Sequence, residues 1–527
     1  MLIRVLNAYH VPMDKVIGIC SDGASTMQGI HKGVCTQLAK HIRQLRQVYM
    51  LDIMARDNTR DINSFHDSRG IFVVHCVCHR LALVLTDAIK GSRSCAKVIP
   101  NNVIDLMTML YEYFSRSPPR KKAIREFINV ENEANRQARL RVQAEHRRPA
   151  PVRDQRNPVD ELERVMALLE ERHKLPRKII LTRWLSCAEA VRVILQSRDV
   201  YTVFFNNETT DKAQEILDLL EDSSVMAWYA CMQDVLPVLT GLNILFQSSL
   251  PQPHLLYSKI QTAKATLINM VGRGEVRTNM IPLASITINT SFGAFTNKFI
   301  RDHSGEAPIT GTGTRLHPEH VLQLKRSFYK LYAHCLKQID SRFPPENMEC
   351  FKQMQVIDPS VVHGPLRRHQ VGTDDLAVIV GKLLHTFEVP LHVSGFSSKE
   401  EINNCFTIFR ASEECSDLWR DMNHGDEDSN LIYAYYKQLL QQIPHLKPWA
   451  MFALFLLVFP TGNSISERGF SAMGAAHSKQ RSEMGPNQVF AHLMIGFNGP
   501  SVTEFAQVLD IESRQPNWPL YIPPTNF

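Results

Sequence analysis

Two short β-type runs, each followed by a helical pattern, constrain the fold of this chain more than any other feature. Residues 16–20 read "VIGIC" and residues 71–78 read "IFVVHCVC". The helical patterns that follow are "TMQGIHKGVCTQLAKHIRQL" and "HRLALVLTDAIKG", the second with Gly91 as its C-terminal stop. The order strand, helix, strand, helix predicts a parallel or mixed α/β sheet at the start of the chain.

Most of the chain after residue 100 has helical patterns. Residues 101–128 predict a helix that is broken at "SRSPPRKK", and the segment from 159 to about 440 predicts several more helices. The dense apolar run "PWAMFALFLLVFP" at 448–460 is too short to span a bilayer and predicts a buried core element. A chain of 527 residues is too long for one simple core, so we expect two or more modules.

Composition excludes several classes of protein. No run at the N-terminus resembles a signal peptide, and the eleven cysteines form no CxxC pair. We therefore expect reduced thiols in a cytosolic or nuclear protein, with no redox motif. The net charge of +6 permits nucleic-acid binding without arguing for it.

Positive charge is concentrated between residues 116 and 153. The segment has eleven basic residues against four glutamates, a local excess larger than the net charge of the whole chain. Two interpretations of this segment are equally supported: a solvated helix that ends in a loop, and a segment that faces nucleic acid. The basic cluster "SPPRKK" could also serve nuclear import. The candidate DNA contacts are Arg120, Lys121, Lys122, Arg147 and Arg148.

Two motifs near the β-type runs are candidates for chemistry. Asp22 follows the first run, where a carboxylate could serve metal or phosphate chemistry because strand ends open onto a crevice. Asp-Gly is also a common turn signal, and the local sequence favours that interpretation. The motif "HCVCH" offers His75, Cys76, Cys78 and His79, but four ligands in five residues cannot surround one zinc ion without strain. Structural packing is the stronger interpretation of this motif.

Two further pairs each have two interpretations. Arg183 and Trp184 begin a helical pattern, either as an anchor with the aromatic ring in the core or as an arginine that binds phosphate with the tryptophan packed beside it, and the local sequence favours the core interpretation. Glu467 and Arg468 lie in "TGNSISERGFSAM", where Ser464 or Ser466 would cap a helix whose dipole favours Glu467. Alternatively, Glu467 is a metal ligand that faces the same crevice as Asp22.

Four segments in this order resemble the hAT superfamily of DNA transposases and the host proteins derived from them. They are "GICSDGASTMQG", "HCVCHRLAL", "TRWLSCAEA" and "PTGNSISERGFSAMGAAHSKQRSEM". The last is the most specific, because it resembles the C-terminal dimerisation signature of the family. The set is most similar to the hAT proteins of animals that are associated with BED fingers.

The resemblance implies an α/β RNase H-like core, incomplete at its N-terminus and interrupted by a large all-α insertion, in a mostly helical protein. The segments implied are 1–115 as the first part of the core, 116–158 as a basic and partly disordered segment, 159–440 as the helical insertion, 441–500 as the dimerisation region that completes the core, and 501–527 as an irregular tail.

Catalysis in this family uses two aspartates and a glutamate that hold two divalent cations. By resemblance, Asp22 matches the second aspartate and Glu467 the glutamate, so these two are the implied metal ligands. Cys76 and His79 match a Cys-x-x-His motif, and Arg183, Trp184 and Arg468 match supporting residues. Only 21 residues precede Asp22, and none of them matches the first aspartate. There is also no BED zinc finger.

We therefore expect a nuclear, domesticated or fragmentary protein derived from a DDE-type hAT transposase and without transposase activity. It would act through self-association of its C-terminal region and possible DNA contact, with no membrane partner. The alternative is an active transposase that cleaves and joins DNA with Mg²⁺ or Mn²⁺, if a longer chain supplies the first aspartate.

Overall fold

The computed structural model describes twelve stretches of the chain and a few isolated positions. The stretches are 12–22, 33–56, 72–92, 95–146, 173–177, 184–248, 250–272, 279–304, 315–364, 376–388, 394–423 and 431–462, with the side chains of 48–56, 139–146 and 184–185 outside the description. The chain divides into two compact units, Met1–Gly462 and Asn463–Phe527, and the second lies outside the described residues.

Helices dominate the described residues. The two strands are β1 (Gly18–Ser21) and β2 (Phe72–His75). The helices are α1 (Val34–Arg56), α2 (Val77–Lys90), α3 (Asn101–Ser115), α4 (Pro118–His146), α5 (Trp184–Asn206), α6 (Asp211–Glu221), α7 (Ser223–Phe246), α8 (Pro253–Asn269), α9 (Ala294–Ser304), α10 (Pro318–Arg342), α11 (Pro345–Gln353), α12 (Pro359–His363), α13 (Leu376–Thr386), α14 (Lys399–Ala411), α15 (Glu413–Met422), α16 (Leu431–Gln442) and α17 (Lys447–Leu457). This confirms the prediction of a mostly helical protein.

The two strands are parallel, with Gly18 opposite Phe72 and Ser21 opposite His75. Parallel neighbours need a crossover connection, and α1 lies between them in the chain. Both β-type runs therefore form strands, but the second strand is shorter than predicted. It ends at His75 because Val77 and Cys78 already belong to the first turn of α2.

The break between α3 and α4 comes directly before the two prolines at 118 and 119, which begin α4. Proline has no N–H to donate within a helix, but the first helical turn needs none. The helical pattern therefore stops at Ser115 and restarts at Pro118. Because α4 continues to His146, most of the basic segment is helical.

The central element of the core is α7, which packs against α2, α3, α5, α6, α8, α9 and α10. Its length and composition would suffice to cross a membrane. Most of its side chains are buried, however, including Trp228 and Tyr229. The helix is thus a core helix of the unit Met1–Gly462.

The apolar run at 448–460 forms α17, and the prediction of a buried core element is confirmed. Trp449, Phe452 and Leu456 are fully buried, and the helix packs against α14 and α16. Beyond its end, the Phe459 ring lies 5.0 Å from the ring of Phe72, the first residue of β2. The chain therefore returns to the small sheet after the long helical part.

Candidate functional site

The candidate site is the edge of the sheet where β1 and β2 end, which we call the strand edge. Asp22 follows β1 and is half-buried, and Cys76 follows β2. The Cys76 N–H donates to the Ser21 carbonyl at 2.7 Å, so the pairing continues one residue beyond β2. Asp22 thus lies at the carboxyl end of a parallel strand, as the sequence predicts.

A distant segment, Pro460 and Thr461, contacts the sheet at both ends, Pro460 at the start of β1 and Thr461 at the strand edge. The Val77 N–H donates to the Thr461 carbonyl at 3.0 Å, and Thr461 is buried. A Cβ atom added to Gly18 would lie 2.7 Å from Cδ of Pro460, so a glycine is needed at this contact. The residues that lead into the Glu467 segment in sequence are therefore packed against β1 and the start of α2.

His75 and His79 lie side by side at this edge, with ring centroids 5.4 Å apart. Burial, the Arg80 guanidinium and His79 lower the pKa of His75 to about 4, while a hydrogen bond with the Asp22 backbone opposes the shift. His75 is therefore neutral at physiological pH. Its Nε2 atom is buried and has no hydrogen-bond partner among the described residues.

Of the cysteines at the strand edge, Cys76 and Cys78 are buried and Cys20 is partly buried. A hydrogen bond with the Cys76 side chain, together with burial, raises the pKa of Cys20, which keeps this thiol protonated and a poor metal ligand. Cys78 contacts the Asn243 carbonyl, with 3.6 Å between Sγ and O. These contacts agree with the packing interpretation of "HCVCH". All eleven cysteines of the chain are free thiols.

Arg80 links the strand edge to α10, although it was not among the site residues predicted from sequence. Its guanidinium donates to the Arg342 carbonyl at 2.6 Å, and Arg342 pairs with Asp87 of α2 at 2.5 Å. Burial lowers the pKa of Arg80. Its position directly after His79 in the "HCVCHR" motif was the only signal in the sequence.

The other site residues predicted from sequence fall into two groups, and the first lies wholly or partly outside the described residues. Arg183, Glu467, Arg468, Arg147 and Arg148 lie outside the described residues, and Trp184 begins α5 with its side chain outside the description.

The three basic residues at the start of α4 are described, and they differ in surroundings. Arg120 lies over the ring of Tyr113, 4.1 Å from its centroid. Lys122 pairs with Glu126 within the helix at 3.8 Å. Lys121, by contrast, lines a cleft between α3, α4 and residues 173–177, which we call the basic cleft.

Comparisons with known proteins do not identify a family. A scan against models of protein families and a search of curated proteins both find no match. The resemblance to the hAT superfamily therefore stays a prediction.

Proposed function

We propose that this chain derives from a hAT transposase and acts in the nucleus through self-association and DNA contact, without transposase activity. The proposed family is inferred from the four motifs and their order in the sequence. The parallel strands at the start, the helical middle and the core helix α17 near the end are compatible with an RNase H-like core that a helical insertion interrupts.

The observation that carries the proposal is the contact of Pro460 with the start of β1 and of Thr461 with Val77, just beyond the end of β2. An interrupted core requires the chain to return to its sheet after the insertion. Here the chain returns along the small sheet, from Gly18 at the start of β1 to Val77 after the end of β2, and the return involves the first residues of the segment that resembles the dimerisation signature. For a helical scaffold of other ancestry, a contact between the segment around β1 and β2 and the segment that begins at Pro460 would not be expected.

The described residues at the strand edge suit a divalent metal poorly. Asp22 offers carboxylate oxygens, the ligand type that Mg²⁺ prefers. Its neighbours His75, His79, Cys20 and Cys76 are nitrogen and sulfur ligands, which suit softer metals. No three metal-binding side chains converge within the described part of the chain. We therefore derive no metal-dependent step from these residues.

Self-association is tested on α17, which belongs to the segment 441–500. Met451 on this helix and Val458 directly after it are exposed, whereas Leu456 and Leu457 are buried and would report on folding instead. We expect a dimer at micromolar concentration in sedimentation equilibrium. Met451→Glu with Val458→Glu should raise the dissociation constant at least about tenfold, because two buried charges at an interface are costly.

The matched control for association is Val130→Glu with Val203→Glu, two exposed valines on α4 and α5. This variant adds the same charge outside 441–500 and should leave the dissociation constant unchanged. A chain that stays monomeric up to about 100 μM would contradict the proposal.

The alternative function is an active transposase, which the position of Asp22 at the carboxyl end of β1 favours. A plasmid nicking assay with Mg²⁺ or Mn²⁺ separates the two functions. We expect no nicking above the metal-free control for the wild-type chain, Asp22→Asn and Glu467→Gln. Metal-dependent nicking that both substitutions abolish would establish the alternative.

A further inference from the structure

The basic cleft has a volume of about 700 Å³, within the size range of small-molecule sites. One wall is formed by α3 and α4 and the other by residues 173–177. Four of its lining residues are cations, Lys121 and Arg125 on α4 and Lys174 and Arg177 on the opposite wall. None of the described lining residues is acidic.

The wall formed by residues 173–177 is held in place by a set of hydrogen bonds. The Asn132 side chain accepts from the His173 N–H at 2.7 Å and donates to the His173 carbonyl at 3.0 Å. The Lys174 N–H donates to Ser197 Oγ at 3.1 Å, and the Lys174 carbonyl accepts from the Tyr201 hydroxyl. The backbone of His173 and Lys174 is therefore fixed before any ligand arrives.

The cations of the cleft keep an excess of positive charge. Glu189 lies 3.8 Å from Lys174 and 3.9 Å from Arg177, but its shortest pair, at 2.5 Å, is with Arg192. One carboxylate thus serves three cations. Lys121 and Arg125 form no ion pair with the described residues. An anion that enters the cleft meets cations on both walls.

The cleft also has an apolar surface. Phe114 and Ile128 are buried core residues at its base, and Leu175, Pro176 and Tyr111 extend this surface. The Asn129 amide adds a hydrogen-bonding group. A ligand that carried only phosphate would leave the apolar surface unused, and a purely apolar ligand would leave the excess positive charge of the cleft uncompensated.

We propose that the basic cleft binds a nucleotide, with the base against the apolar surface and the phosphates between the two cationic walls. Arginine suits phosphate because its planar fork presents paired donors, and bases stack on aromatic rings. The nucleotide is either free or part of a single strand, since the bases of a duplex are covered by their neighbours. This inference stands on the cleft and is independent of the transposase ancestry.

The test uses the full chain, fluorescein-labelled (dT)12 in fluorescence anisotropy, and competition by dTTP and by pyrophosphate. Arg125→Met with Arg177→Met should weaken the binding of (dT)12 at least about tenfold. It should also reduce the slope of log K against log salt by about 1.4, at roughly 0.7 for each lost phosphate contact. dTTP should displace (dT)12 at far lower concentration than pyrophosphate does.

The matched control is Arg116→Met with Lys122→Met, which removes the same charge from residues that pair with Glu112 and Glu126 outside the cleft. Its affinity should change less than about twofold. All variants should melt at the wild-type temperature in circular dichroism, since the four residues are exposed. If only one of the two probes binds, and the cleft variant weakens that binding, the ligand is a free nucleotide in the case of dTTP and a single strand in the case of (dT)12.

Three results would overturn the inference. The first is equal weakening by the cleft variant and its control, which would mean general electrostatic attraction. The second is competition by pyrophosphate as strong as that by dTTP, which would leave the base without a role. The third is no binding of either dTTP or (dT)12 at millimolar concentration.

Discussion

Asp234→Ala is expected to lower the free energy of unfolding by about 3–5 kcal/mol, because it would leave three hydrogen-bond donors, two of them in buried bonds, without an acceptor. Asp234 lies within α7 and is buried. Its carboxylate accepts from the Phe295 N–H at 2.9 Å, the Thr296 N–H at 2.8 Å and the Thr296 hydroxyl at 2.6 Å. These donors stand in the first turn of α9, so α7 supplies the N-terminal cap of another helix.

The measurement for Asp234 is urea unfolding followed by circular dichroism. Asp302→Ala, on the same helix α9 but exposed, is the control and should change stability by less than about 0.5 kcal/mol. Gly293→Ala is a second variant and should also lower the free energy of unfolding, because the added Cβ atom would lie 2.1 Å from Cγ of Asp234. A loss below about 1 kcal/mol for Asp234→Ala would show that the cap contributes little.

Acidification is expected to destabilise the protein through His254, and His254→Leu should remove this contribution. His254 lies in the first turn of α8 and is buried, and burial lowers its pKa from 6.5 to about 3. The unfolded chain therefore takes up the proton first as the pH falls below 6.5. The free energy of unfolding therefore keeps the full contribution of neutral His254 above pH 6.5 and loses it progressively toward pH 3. At pH 5 the loss is about 2 kcal/mol.

The measurement for His254 is the free energy of unfolding at pH 7.5 and at pH 5 in both proteins. The wild-type loss between these values should exceed the loss of His254→Leu by about 2 kcal/mol. His320→Leu, at an exposed position of α10, should keep the wild-type pH dependence. If His254→Leu lost as much stability on acidification as the wild type, the assignment to His254 would be wrong.

Local patterns were sufficient for much of the fold. The β-branched runs predicted both strands, Gly91 marked the end of α2, and the tandem prolines marked the break before α4. These features depend on a few adjacent residues. The end of β2 at His75 was harder to predict, because Val77 and Cys78 favour strand by type but are buried on the inner face of a helix.

The candidate sites were less predictable, because their residues come from separate parts of the chain. Asp22 could be placed at a strand end from the order of the elements. The contact of Thr461 with Val77 has no local signal, because its two partners are far apart in the sequence. The basic cleft was missed because Lys174 and Arg177 join Lys121 and Arg125 through the hydrogen bonds of Asn132, which periodicity does not reveal.

The contact between Val77 and Thr461 sets a condition on how the newly made chain can fold. About 380 residues separate the two partners, and a ribosome adds roughly 5–20 residues each second. The amide of Val77 and the face of β1 beside Gly18 therefore wait about 20–80 s for their native partner to emerge. During that interval the nascent chain presents an uncovered sheet edge, so its early strands are exposed to non-native pairing and to chaperones until Thr461 has been made.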